Sequence, residues 1–131
     1  MKITVLGCLG AYPYNGEGTT GYLVESDGFH LLLDAGSTTL VQLEKILDPL
    51  DLDAVILTHY HHDHIADLGV LQYYWQLYPE NEERQVLPIY GHGEDRVHFE
   101  SLTMPGVTQG FDYLQSESLE LGPFTITFMK T

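Results

Sequence analysis

The feature that most constrains this chain is the segment Thr58-His59-Tyr60-His61-His62-Asp63-His64, set directly behind the apolar run Ala54-Val55-Ile56-Leu57. The run reads as a buried strand, with Asp53 and Thr58 at its ends. Four histidines and one aspartate then fall within six residues. A strand-to-helix turn keeps no single backbone period, so it can point His59, His61, Asp63 and His64 to one side. Imidazole nitrogen and carboxylate oxygen are the usual ligands of Zn(II), Fe(II) and Mn(II). A lone histidine is ordinarily a satisfied surface or core residue, but four with an aspartate at a strand end point to a metal. The cluster is internal and flanked by well-patterned elements, which argues against a purification tag.

Around it the chain reads as alternating strands and helices. Residues 2–6, Thr19 to Glu25 and Phe29 to Leu33 are expected strands, and Asp27-Gly28 between the last two is a hairpin signal. Ser37 is the expected N-cap of a helix reaching Leu47. Ile65 to Tyr78 has helical spacing and is closed by Pro79 and the acidic run Glu80-Asn81-Glu82-Glu83, a solvated helix end. Val86 to Tyr90 and Phe124 to Met129 complete the strands. The layout is α/β or α+β, with helices covering a sheet.

Composition narrows the function. With 131 residues the chain makes one domain, 1–131, and 44% hydrophobic residues suffice for a core. No apolar run approaches the ~20 residues of a membrane span, no secretory signal is recognisable, and the one cysteine, Cys8, cannot form an internal disulfide. A cytoplasmic setting is expected. Five basic residues against nineteen acidic ones give a net charge of −14, which disfavours a nucleic-acid or membrane-surface partner.

Thr58 to His64 resembles the His-x-His-x-Asp-His signature of the metallo-β-lactamase superfamily. Leu31-Leu32-Leu33-Asp34-Ala35-Gly36 is similar to that family's strand-end Asp-x-Gly, and Gly18 to Val24 to the strand before it. The style is that of the branch holding ribonuclease Z and phosphodiesterase-like hydrolases. The resemblance implies half of an αβ/βα sandwich and a two-metal site, with zinc expected and manganese or iron as alternatives. It makes His59 and His61 ligands of a first ion, and Asp63 and His64 ligands of a second. Asp63 also takes part in proton transfer, and Asp34 orients the ligands from behind. The implied activity is hydrolysis of a phosphodiester or small ester by a metal-bound hydroxide.

Complete members of that family carry a second half with three more ligands, none of which is recognisable here. The sequence therefore reads as a truncated hydrolase lacking its C-terminal half. A truncation, a homodimer and a complementing second chain remain open explanations. The alternative function is a non-catalytic metal-binding half-domain or self-assembling fragment. Two helices cover only one sheet face, so a homo-oligomer burying the other is expected. His92 reads as a loop histidine, and His30 and His98 as satisfied ones. Tyr73, Tyr74, Trp75 and Tyr78 read as packing residues and Cys8 as a small buried hydrophobe. The loop Tyr12-Pro13-Tyr14-Asn15-Gly16 resembles one that borders the active site in this branch, and reads equally as a plain surface loop.

Overall fold

The computed structural model describes residues 1–78 and 85–131. Three antiparallel strands open the chain: β1 (Lys2–Gly7), β2 (Gly21–Ser26) and β3 (Phe29–Leu33). Asp27 and Gly28 both take positive φ, 50° and 77°, as a tight two-residue hairpin turn requires. Three further strands then join in parallel, β4 (Ala54–Ile56), β5 (Leu87–Gly91) and β6 (Thr108–Asp112), giving a six-stranded sheet in sequence order. The crossovers carry α1 (Thr39–Glu44), α2 (His62–Ile65), α3 (Leu68–Leu77) and α4 (Arg96–Ser101). Two last strands, β7 (Ser118–Leu121) and β8 (Phe124–Thr127), form a separate hairpin.

The pleat divides the core into two layers. Leu23, Leu32, Val55, Leu57 and Ile89 meet Leu43, Leu71, Trp75 and Leu102 on the helical face. Leu31, Ala54 and Ile56 point the other way, against Leu121, Phe124, Ile126 and Tyr113, which follows β6. Strand β4 is thus buried on both faces, which is why its sequence is continuously apolar. The second face carries the hairpin, which corrects the expectation that the chain's own elements cover only one sheet face. The expected strand Phe124 to Met129 pairs with β7, outside the main sheet.

Helical limits also differ from the sequence reading. Ser37 does not cap α1; its N–H donates to Thr19 Oγ1 at 2.6 Å, and Thr38, at φ 70°, occupies the cap position without a side-chain bond. The cap comes from far along the chain, where Asp67 Oδ2 accepts from Leu40 N at 2.9 Å. The expected helix Ile65 to Tyr78 forms only from Leu68 to Leu77, as α3, while Ile65 ends the separate turn α2, because the backbone is diverted at the junction. Ala35 N donates to His64 O, and Asp67 N donates to Ala35 O. The β3 exit is thereby hooked into the break.

Trp75 is buried, but Tyr73 is exposed, and Tyr74 stacks on Tyr78 at 4.9 Å. Cys8 is exposed rather than buried. Pro79 and the run Glu80 to Glu83 lie outside the described residues. No helix among those described is long and apolar enough to cross a membrane.

Candidate functional site

Parallel strands end together at one edge, and two of those ends build the site. After β3 the chain turns sharply at Asp34, whose φ of 60° lies in the left-handed region that aspartate tolerates better than most residues. The turn drives its side chain inward, to 2% exposure. After β4 the segment Thr58 to His61 runs out irregularly, and His61 opens the single-turn helix α2. Gly36 lets the two ends approach, since a Cβ there would collide with the backbone oxygen of Asp63 and with Thr19 Oγ1.

Asp34 holds the histidine turn from beneath. Its Oδ1 accepts from Thr58 N at 2.7 Å, and its Oδ2 accepts from Thr58 Oγ1 at 2.8 Å. The same Oδ2 lies 2.7 Å from His64 Nδ1. A carboxylate only accepts, so His64 in this pairing carries its proton on Nδ1 and leaves the Nε2 lone pair free. Thr58 Oγ1 also lies 3.0 Å from His59 Nδ1. Its hydroxyl proton is committed to Asp34, so it accepts from His59 Nδ1–H, and the Nε2 lone pair of His59 is free as well. One buried carboxylate selects the ligand-ready tautomer of two histidines, the second through a threonine.

The imidazoles gather closely. His59 lies 4.1 Å from His64 and 4.7 Å from His61 between ring centroids. Asp63 Oδ2 is 3.6 Å from His64 Nε2. Partial burial, followed by the neighbouring His64 and His61, pushes the His59 pKa below 6.5, against weaker opposite pulls from Asp34 and Asp63. His59 therefore favours the neutral imidazole, the form that binds metal. In kind, these donors suit a divalent transition ion. In number they fall short, because among the described residues no group of three or more such side chains is arranged to hold one.

Beside the turn, His59, Tyr60, His61 and His62 face His92, Asp95 and His98 across a cleft of about 430 Å³. Tyr60 donates to His92 O at 2.7 Å and stacks on His98 at 5.3 Å. His98 is satisfied by Asp95 at 2.7 Å and His30 by Glu25 at 3.1 Å. His92 follows β5 as a loop histidine, with a buried Nδ1 that has no partner among the described residues. Sequence reasoning brought His59, His61, Asp63, His64 and Asp34 together and missed Thr58 as a link. Its one signal was its place between the strand and His59.

A mixed sheet that delivers a buried aspartate beneath a histidine-rich turn is an α/β fold of the metallo-β-lactamase type. A profile described as the metallo-β-lactamase superfamily matches residues 14–79, about half of the chain. The chain belongs to that superfamily.

It is 47% identical over 132 residues to the probable metallo-hydrolase YhfI of Bacillus subtilis, covering all of this chain and 54% of that one. The crystal structure of that metallo-β-lactamase fold protein superposes with a TM-score of 0.91 at 46% identity, over 98% of this chain and 52% of that one. Ribonuclease Z of Haloarcula marismortui is 30% identical over 112 residues, covering 85% of this chain and 35% of that protein. The chain thus spans about half the length of YhfI and about a third of that ribonuclease Z.

Proposed function

We propose that this chain supplies one share of the metal site of a hydrolase acting on a phosphodiester or small ester. His59 and His61 hold one ion in this reading, Asp63 and His64 a second, with zinc the expected metal and manganese or iron the alternatives. Bound ions of this kind acidify water and polarise a phosphoryl or carbonyl oxygen. Asp63 receives the proton of the attacking water at Oδ2, beside His64. Asp34 keeps the Nε2 atoms of His59 and His64 free for ligation. That double selection by one buried carboxylate is the observation that carries the reading, since a merely solvated histidine run needs no such support.

In this reading a second copy or a complementing chain contributes further ligands, since among the described residues no group of three or more such side chains is arranged to hold an ion. The charge of −14 speaks for a small substrate and against a polyanion held by this chain alone. Superfamily relatives include ribonuclease Z, so a larger partner that contributes basic surface is compatible with the same site.

Calorimetry with Zn(II), paired with a chromogenic phosphodiester assay, tests the proposal. Uptake at neutral pH should weaken below about pH 6 and in the His59→Ala, His61→Ala double variant. Absence of Zn(II) uptake by the native chain overturns it. Uptake without turnover, in the presence of whatever completes the site, favours the second reading of a non-catalytic metal-binding module. The absence of a three-donor group among the described residues supports that reading.

A further inference from the structure

We infer that Tyr113 is a positioning residue for the ligand turn, anchoring it from the sheet face opposite the helices; the inference rests on the ligand reading proposed above. Tyr113 begins the short 3-10 turn that follows β6. Its hydroxyl lies 3.0 Å from Leu57 O and 3.1 Å from Thr58 O. These are the two carbonyls immediately before His59, where β4 has ended. The buried Leu57 carbonyl at the strand end needs a donor from elsewhere, and here one phenol proton is shared between it and the part-buried Thr58 carbonyl. Tyr113 is 8% exposed, and its ring lies flat on Phe128 at 3.9 Å and 9°, so the hydroxyl has little freedom to leave. Burial, followed by the nearby carboxylates of Asp34, Asp112 and Glu94, raises the phenol's pKa and keeps it a donor.

Thr58 is therefore held on every polar atom it possesses. Asp34 takes its N–H and its hydroxyl, and Tyr113 takes its carbonyl. The backbone of His59 departs from that fixed residue, so its Nε2 inherits a set direction. Asp34 acts from one strand end and Tyr113 from another, 55 residues further along than Thr58. Losing the phenol oxygen leaves the Asp34 bonds in place but frees the peptide plane between Thr58 and His59 to rotate. The expected consequence is a misdirected His59 in a chain that still folds.

The test compares the native chain with Tyr113→Phe, which keeps the ring stack, and Phe128→Leu, which keeps the hydroxyl. In metal-free protein, long-range proton–nitrogen NMR should show the His59 ring signals shifted or split in Tyr113→Phe, while those of His30 stay put. Titration with Co(II) chloride, at a temperature where all variants are fully folded, should show at least a tenfold weaker dissociation constant and altered visible bands for Tyr113→Phe. Phe128→Leu should stay within twofold of the native value even if it melts earlier. Unchanged His59 signals in Tyr113→Phe overturn the inference, as does a Phe128→Leu variant that reproduces the Co(II) defect. If the native chain takes up no Co(II), the ligand reading fails instead, and the His59 signals alone decide the role of Tyr113.

Discussion

At the scale of single residues, Asp34 decides the most. Replacing it with asparagine keeps the size and the tolerance for φ 60° but turns one acceptor oxygen into a donor. In one amide orientation the new N–H₂ faces the donors Thr58 Oγ1 and His64 Nδ1; in the other it faces Thr58 N. Each leaves a clash of donors in a buried place. Asp34→Asn should cost about 2–3 kcal/mol in urea unfolding, the scale of a hydrogen bond to a charged group whose partner is stranded. A loss below about 0.5 kcal/mol would show that the network contributes little. His59 sets a pH dependence of definite sign. Its pKa in the fold lies below the 6.5 of the unfolded chain, so between the two values the unfolded state binds more protons. Stability contributed there is present above pH 6.5 and lost as the pH falls. Asp95 and Asp112, both held below 3.8, titrate beneath this window. In metal-free protein the urea midpoint should drop between pH 7.5 and 5.5, and drop less in His59→Ala. Equal drops would assign the effect elsewhere.

Among elements, the break between α2 and α3 shows a long-range contact overriding a helical pattern. Ile65, Leu68, Leu71, Trp75 and Tyr78 keep helical spacing across the break, so periodicity alone reads one helix. The backbone departs because Ala35 donates its N–H to His64 O and accepts from Asp67 N there, which lets Asp67 cap α1 through Leu40 N. Asp67→Ala should cost about 1 kcal/mol, as loss of a helix cap does. Asp67→Asn, still an acceptor, should cost a few tenths. Thermal unfolding of both variants separates capping from simple loss of charge, because equal effects would implicate the charge. The same contrast governs what the sequence disclosed. His59, His61, Asp63 and His64 were legible because they are close neighbours after an unmistakable buried strand. Asp34 was legible through its place at the end of β3, before Ala35 and Gly36. Tyr113 was not, since nothing near it in the chain marks a phenol whose partners lie at the end of β4. Strand β6 escaped notice because Thr108 to Asp112 carries one large apolar residue, Phe111, and β7 because its alternation runs over only four residues, Ser118 to Leu121.

For the molecule as a whole, burial and charge pull in opposite directions. The hairpin β7–β8 lays Leu121, Phe124 and Ile126 over the sheet face that two helices could not reach, so a second copy is no longer required to cover it. An open groove of about 340 Å³ remains between them, walled by Leu31, Leu33, Ile56 and Phe124. Against this cohesion stands a charge of −14 on 131 residues. Such charge destabilises a compact state by self-repulsion, which salt screens as the Debye length shrinks from about 30 Å at 0.01 M to about 10 Å at 0.1 M. Salt also weakens attractive pairs, but only Arg96–Glu100 and Lys130–Glu94 join a lysine or arginine to a carboxylate among the described residues, and both are exposed. Exposed pairs contribute about 0.2–1 kcal/mol each, so their loss is small beside the relief of repulsion among nineteen acidic side chains. Raising sodium chloride from 10 to 100 mM should therefore lift the melting temperature of the metal-free chain by about 2–5 °C. Differential scanning calorimetry at pH 7.5 measures it. A flat or falling melting temperature would mean that the few cations, despite their number, sit where they neutralise the acidic surface.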